Sequence, residues 1–130
     1  MESKGVIVDT MISPYVVLHH VVRSRGTESH FDWMFQSGGV LLTWATISHL
    51  STDLPGDTDA VRLPDHRLEY LDYQGDVSRD RGHVTRVERG LYRIIEKSPH
   101  RFEIKVTGDR EGKLVFVLET ESWLLRFKCP

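Results

Sequence analysis

Phe31–Gln36 (FDWMFQ), Ser37-Gly38-Gly39 and Val40–Thr46 (VLLTWAT) form the stretch of the sequence that decides the fold. The first segment alternates, with its three aromatic residues on one side of a predicted strand. The glycine pair that follows is typical of a hairpin turn, and the second segment returns as the partner strand. The stretch therefore predicts an antiparallel pair with one strongly apolar face.

Similar short strands are predicted at close spacing on both sides of this stretch. One precedes it, over Tyr15–Val22. The others follow it, over Ala60–Leu63, His83–Glu88, Leu91–Glu96, Arg101–Thr107, Leu114–Glu119 and Trp123–Lys128. Ser51–Asp59 reads as a polar loop, and Gly90 is expected to break a strand. No window carries the apolar stripe of a helix. We expect an all-β fold, a small closed antiparallel β-barrel of about seven or eight strands with little helix.

Composition narrows the class of protein. The 130 residues suit a single domain over residues 1–130, with residues 1–14 as an N-terminal extension. A net charge of −2 argues against an overall basic nucleic-acid binder. No apolar run is long enough for a membrane span and no signal peptide is visible, so a cytoplasmic protein is expected. The single cysteine, Cys129, excludes an internal disulfide framework and a cysteine-rich zinc site.

Histidine is unusually frequent, with seven residues in the chain. His30 and Asp32 are two apart on a predicted strand, so their side chains share a face. A third histidine would complete a three-ligand site that suits Mn²⁺, Fe²⁺ or Zn²⁺. His19 and His20 are adjacent and point to opposite faces, so only one of them can join it. The alternative is an ordinary surface His–Asp pair.

A second candidate lies in Leu63–Gly75 (LPDHRLEYLDYQG). His66 could act as a general acid or bind an anionic oxygen when protonated. Tyr70 could donate a second hydrogen bond if the segment coils and brings positions four apart together. The alternative is a surface loop with an ordinary Asp65–Arg67 pair.

Taken in order, these motifs resemble the 3′-phosphoesterase domain of bacterial DNA ligase D. The resemblance runs from about Tyr15 to Lys128. It is carried by Tyr15–His20 (YVVLHH), by His30–Gln36 (HFDWMFQ) with the Gly turn and Thr43-Trp44-Ala45, and most specifically by Leu63–Gly75. The family fold is a small β-barrel, which agrees with the strand pattern.

The resemblance implies Mn²⁺-dependent removal of 3′-phosphates and 3′-terminal ribonucleosides. The donor types leave Zn²⁺ as another candidate metal. It implies metal ligands His20, His30 and Asp32, and phosphate-side catalytic roles for His66 and Tyr70. The implied substrates are DNA or RNA–DNA 3′ ends, and a separate DNA ligase or polymerase is a further expected partner.

The sequence departs from the family where cations would hold the phosphate. Met34, Ser48 and Thr58 stand at positions that are cationic in the family, and Gln36 replaces a glutamate. Loss of preorganised cations weakens the stabilisation of a phosphate dianion. Replacements could come from Arg62, Arg67 or the arginines of residues 79–89, and His49 could partly replace the lysine missing at Ser48.

Three functions remain open from the sequence. The leading one is a Mn²⁺-dependent phosphoesterase acting on nucleic-acid 3′ ends in DNA end repair. The second is a catalytically impaired descendant that keeps the metal site and binds DNA ends or a protein. The third is an Fe²⁺ oxygenase built on the His-x-Asp pair, for which the chain is short.

Overall fold

A computed structural model describes residues 11–22, 28–78 and 81–130 of the chain. These residues form nine β-strands and one turn of 3-10 helix, Leu68–Leu71, with no α-helix among them. The strands are β1 (Ser13–Val22), β2 (Glu28–Ser37), β3 (Val40–Thr46), β4 (Gly56–His66), β5 (Gly75–Asp76), β6 (His83–Ser98), β7 (Arg101–Gly108), β8 (Gly112–Glu119) and β9 (Ser122–Lys128). Within the described ranges, no helix has the length and apolar character needed to cross a membrane.

All nine strands belong to one antiparallel sheet in the order β1-β2-β3-β4-β9-β8-β7-β6-β5. An additional pairing of β1 with β6 closes eight of them into a ring. The two-residue β5 pairs with β6 at the side of this ring. The all-β prediction is confirmed, and closure leaves few unpaired strand edges.

The hairpin predicted from the opening stretch is present. β2 and β3 pair in the register that sets Trp33 opposite Trp44. Their rings join the large apolar cluster inside the ring of strands, to which all eight ring strands contribute. Phe35 lies at its centre, within 5.5 Å of the rings of Tyr15, Phe102 and Phe116.

A second, smaller apolar cluster lies on the outer side of β1, β2, β3 and β6. It comprises Val16, Leu18, Met34, Leu41 and Val84. Leu68, Tyr70, Leu71 and Val77, from the segment around the 3-10 turn, pack over it. Alternate residues of β1 and β2 therefore face two different apolar environments, and both strands bury both faces.

Two of the predicted strand boundaries are wrong. β4 begins at Gly56, inside the expected loop Ser51–Asp59, because residues 56–60 pair with β9. β6 continues through Gly90 without a break. A Cβ at Gly90 would lie 2.1 Å from the Thr107 carbonyl oxygen, so glycine is needed here for close strand packing.

Two other predictions fall partly outside the described residues. The expected extension over residues 1–14 reaches into β1, which already includes Ser13 and Pro14, while residues 1–10 are not described. The single-domain assignment stays a prediction.

A buried charge network lies inside the ring and centres on Glu88 of β6, which is 1% exposed. Arg110, in the β7–β8 turn, donates to both carboxylate oxygens of Glu88 at 2.8 Å. The Tyr15 hydroxyl donates to Oε2 at 2.6 Å, and His49 Nε2 lies 2.9 Å from Oε1. Arg110 also donates to the Leu50 carbonyl, so the network joins three distant parts of the chain.

The network determines the ionisation states of Glu88 and Tyr15. Burial alone would raise the pKa of Glu88, but the hydrogen bonds from Arg110, His49 and Tyr15 outweigh it and lower the pKa to about 2. Burial, reinforced by the Glu88 carboxylate, raises the pKa of Tyr15. Glu88 is therefore ionised and Tyr15 neutral across the ordinary pH range.

Glu88 makes the folded state sensitive to acid. Because its folded pKa lies below the ordinary value of 4.5, its contribution to stability is present above pH 4.5 and is lost as the pH falls towards 2. We expect Glu88→Gln to reduce the free energy of unfolding at pH 7 by about 3–5 kcal/mol, because Arg110 keeps an uncompensated buried charge. Urea denaturation at a series of pH values measures both effects.

The exposed Glu121→Gln is the matched control and should change the free energy of unfolding by less than about 0.5 kcal/mol. Glu88→Gln should also show a shallower loss of stability between pH 4.5 and 2 than the unmodified protein. An unchanged slope in that variant would show that Glu88 does not titrate as described.

Candidate metal centre

His20, His30 and Asp32 come together on the outer side of the ring. The β1–β2 register sets His20 opposite His30, with Asp32 two residues further along β2. One potential ligand atom from each residue lies within 4.8 Å of the others. Strand pairing thus brings a second histidine beside the His-x-Asp pair, which the spacing alone left open.

The tautomer of His20 follows from its hydrogen bond. Its Nε2 lies 2.8 Å from the carbonyl oxygen of Arg81. A carbonyl only accepts, so Nε2 carries a proton, and in the neutral ring Nδ1 keeps its lone pair. Nδ1 faces the cluster, 3.8 Å from Asp32 Oδ2. A backbone carbonyl that fixes the ring of a histidine in this way is the usual outer partner of a metal-binding imidazole.

Asp32 supplies a buried carboxylate, 3% exposed. Its Oδ1 lies 3.1 Å from His30 Nε2 but makes no well-aligned hydrogen bond with the described residues. The Asp32 contact raises the pKa of His30 more than burial lowers it. A buried acceptor without a full set of partners is costly. Two imidazoles and this oxygen therefore fit a divalent cation.

His19 does not reach the cluster. Its ring stacks on Phe31 on the inner side of β1, with centroids 4.5 Å apart. Adjacent residues of one strand thus face opposite sides, and the structure brings His20, rather than His19, to the candidate site.

A pocket of about 250 Å³ opens beside His20 and Asp32. Met34 and Val84 give it an apolar floor, and Val77 together with the segment around the 3-10 turn forms its wall. The remaining lining residues are Asp65, His66, Arg67, Tyr70 and Arg81. The cluster and the pocket therefore form one continuous site.

Only the middle of Leu63–Gly75 coils, in the 3-10 turn Leu68–Leu71, because β4 extends to His66. A backbone bond from Tyr70 N to Arg67 O closes the turn, and the rings of His66 and Tyr70 lie 6.0 Å apart. His66 Nδ1 lies 2.8 Å from the Pro64 carbonyl, which assigns the proton to Nδ1 and leaves Nε2 as the acceptor of a neutral ring. Both side chains line the pocket.

Of the three residues suggested for substrate binding, one lines the pocket, namely Arg67. Arg62 does not; its guanidinium donates to the Thr43 and Leu63 carbonyls and lies 4.5 Å from the centroid of the Trp44 ring. His49 belongs to the interior network with Glu88.

Of the three positions where a cation of the family is missing, one lies at the pocket. Met34, 1% exposed, forms part of the pocket floor, whereas Ser48 and Thr58 do not line the pocket. The second pocket cation is Arg81, which the sequence offered only as one of a run of arginines. Its place just before β6 was the available signal, because β6 pairs with the strand that carries His20.

Comparison with known proteins gives one family. The family model described as the DNA Ligase D 3′-phosphoesterase domain matches residues 19–127, which is nearly the whole chain. No curated protein matches the chain.

The geometry predicts different outcomes for two adjacent histidines. His20→Ala should weaken binding of a divalent metal by about 100-fold or more, because a direct ligand is lost. His19→Ala should change the affinity by less than about twofold, because its ring stacks on Phe31 away from the cluster. Calorimetric titration measures both, with circular dichroism to check folding. Equal losses in the two variants would contradict this assignment.

Proposed function

This chain belongs to the DNA ligase D 3′-phosphoesterase domain family, and we propose on that premise that it is a Mn²⁺-dependent phosphoesterase of nucleic-acid 3′ ends. Family membership implies a 3′-phosphoesterase-like role in DNA repair. The proposed reaction removes a 3′-phosphate or a 3′-ribonucleotide. The observation that carries the proposal is the cluster of His20, His30 and Asp32 at the edge of a pocket lined by His66 and Tyr70.

His20, His30 and Asp32 would hold the metal. A set of two imidazoles and one carboxylate suits Mn²⁺ and also Zn²⁺. A bound divalent ion polarises a phosphoryl oxygen and lowers the pKa of a water molecule. The chain fixes His20 through the Arg81 carbonyl and buries Asp32, so these two ligands are oriented before the metal arrives.

His66 and Tyr70 would act on the phosphate side. The Pro64 carbonyl holds the Nδ1 proton of His66, so a second proton on Nε2 would make the ring a donor to the leaving oxygen. The Tyr70 hydroxyl can donate a hydrogen bond to a phosphate oxygen as negative charge develops. The 3-10 turn keeps the two rings together on one wall of the pocket.

A second candidate function follows from the apolar residue in the floor of the pocket. Met34 places an apolar side chain where the family has a cation, which reduces charge complementarity to a phosphate dianion. A protein that binds metal and DNA ends without turnover, or that binds a protein partner, would fit this change.

The proposed substrates are DNA or RNA–DNA strands with a 3′-phosphate or a 3′-ribonucleotide. A separate DNA ligase or polymerase would act on the healed 3′-hydroxyl, which makes either a proposed partner. The proposed location of this activity is the cytoplasm.

Hydrolysis of a defined 3′ end tests the leading function. A primer–template with a 3′-phosphate should yield a 3′-hydroxyl with Mn²⁺ and should remain intact with a chelator. His30→Ala should lower the rate by about 10²-fold or more, because a metal ligand is removed. His100→Ala, a change to an exposed histidine in the β6–β7 turn, is the matched control and should retain the rate.

Denaturing gel electrophoresis of the labelled primer measures the product. Metal binding by calorimetry, combined with no product at high protein concentration, would reject turnover of this substrate. That result would favour the binding function, which a salt-dependent DNA titration would then examine.

The phosphate-side roles predict a second pair of outcomes. Tyr70→Phe and His66→Gln should each lower kcat by about 10²–10³-fold while leaving Mn²⁺ affinity within about twofold, because neither side chain is a ligand. Tyr73→Phe is the control: Tyr73 is a neighbouring tyrosine whose hydroxyl donates to the Asp76 carbonyl and which does not line the pocket. A rate for Tyr70→Phe equal to that of this control would remove Tyr70 from the reaction.

A further inference from the structure

The cations of the pocket do not come from the positions where the family places them. Met34 lies in the floor without charge, and two guanidinium groups line the pocket from other segments. Arg67 precedes the 3-10 turn, and Arg81 precedes β6. Positive charge is therefore present in this pocket, but it comes from the residues before the 3-10 turn and before β6.

Arg81 is held more firmly than Arg67. Its Nε donates to the Ser78 carbonyl at 2.9 Å and an Nη donates to Ser78 Oγ at 3.0 Å. Arg67 is 71% exposed and approaches Glu69 only at 3.9 Å. A guanidinium has five N–H donors, so Arg81 keeps three that no described residue accepts. A cation anchored on one edge with its other donors open is preorganised for an oxyanion.

The backbone around Arg81 ties this side chain to the metal cluster. The Arg81 carbonyl accepts the Nε2 proton of His20. The next residue, Gly82, has φ +106°, and a Cβ there would lie 1.9 Å from the Val21 carbonyl oxygen. Only glycine lets the chain approach β1 this closely. A backbone bond from Val77 N to Gly82 O closes the segment.

We infer that Arg81, assisted by Arg67, is the residue that binds the phosphate group of the 3′ end in this protein. This inference rests on the proposed function and names the residue that replaces the missing cations. Arg81 thus has two roles: its side chain binds the anion and its backbone carbonyl orients His20. The two roles are separable, because a side-chain substitution leaves the carbonyl in place.

Binding of two oligonucleotides tests this without requiring turnover. The probes are one fluorescein-labelled DNA primer–template with a 3′-phosphate and the same duplex with a 3′-hydroxyl, titrated by anisotropy with Mn²⁺ at low temperature. The unmodified protein should bind the 3′-phosphate form more tightly. Arg81→Ala should weaken binding of that form by about 10-fold or more and abolish the preference, because a charge-assisted contact is lost.

Three comparisons control this result. Arg93→Ala removes an arginine of β6 that does not line the pocket, and it should keep the preference. Arg81→Lys keeps the charge without the planar fork and should give an intermediate affinity. Both Arg81 variants should bind Mn²⁺ within about twofold of the unmodified protein, because the His20 contact is to the backbone.

A preference that survives in Arg81→Ala, or that the unmodified protein lacks, would overturn the inference. If Arg81→Ala fails to fold, Arg81→Lys decides: an affinity equal to that of the unmodified protein overturns the inference, and a reduced one supports it. The result is independent of hydrolysis, so a protein that selects 3′-phosphate ends through Arg81 but does not cleave them would refute the proposed catalysis alone.

Discussion

The pairing of β1 with two neighbours is the constraint on which the rest of the structure depends. β1 pairs with β2 on one side and with β6 on the other, and the second pairing closes the ring. The same arrangement sets His20 beside His30 and brings the chain before β6 close enough for the Arg81 carbonyl to reach His20. Inside the ring, the Tyr15–Glu88 hydrogen bond joins β1 and β6 at a buried position. Fold closure and site assembly are thus consequences of one set of strand pairs.

The sequence predicts the parts of this molecule that depend on local periodicity. Alternation and turn residues identify the β2–β3 hairpin, and the two-residue spacing places His30 and Asp32 on one face. The family resemblance adds His20 as the third ligand. The hairpin prediction is confirmed because it depends on neighbours in the chain. The ligand roles, which depend on a motif of known order, stay predictions.

Other features depend on contacts between distant segments and were not predictable from the chain alone. Gly90 looks like a strand break, yet it is required because the β7 backbone passes directly over it. β4 begins among polar residues because β9 provides a partner for them. In the sequence, His49 looks like a surface residue or a replacement for a missing phosphate-binding lysine. In the structure its ring forms a hydrogen bond with Glu88, which is 39 residues away. In each case tertiary pairing outweighs the local composition.

The strands carry the large apolar cluster on their inner face and the pocket on their outer face, which affects how the protein can change by substitution. The aromatic cluster and the Glu88 network occupy the inside of the ring, while the candidate metal cluster and the pocket lie outside it. In many enzymes a cavity for the substrate is carved into the core, so gains in activity tend to reduce stability. Here none of the residues of the inner cluster lines the pocket. Substitutions in that cluster can therefore change stability while the pocket lining stays the same, and the lining can change while the inner cluster stays intact.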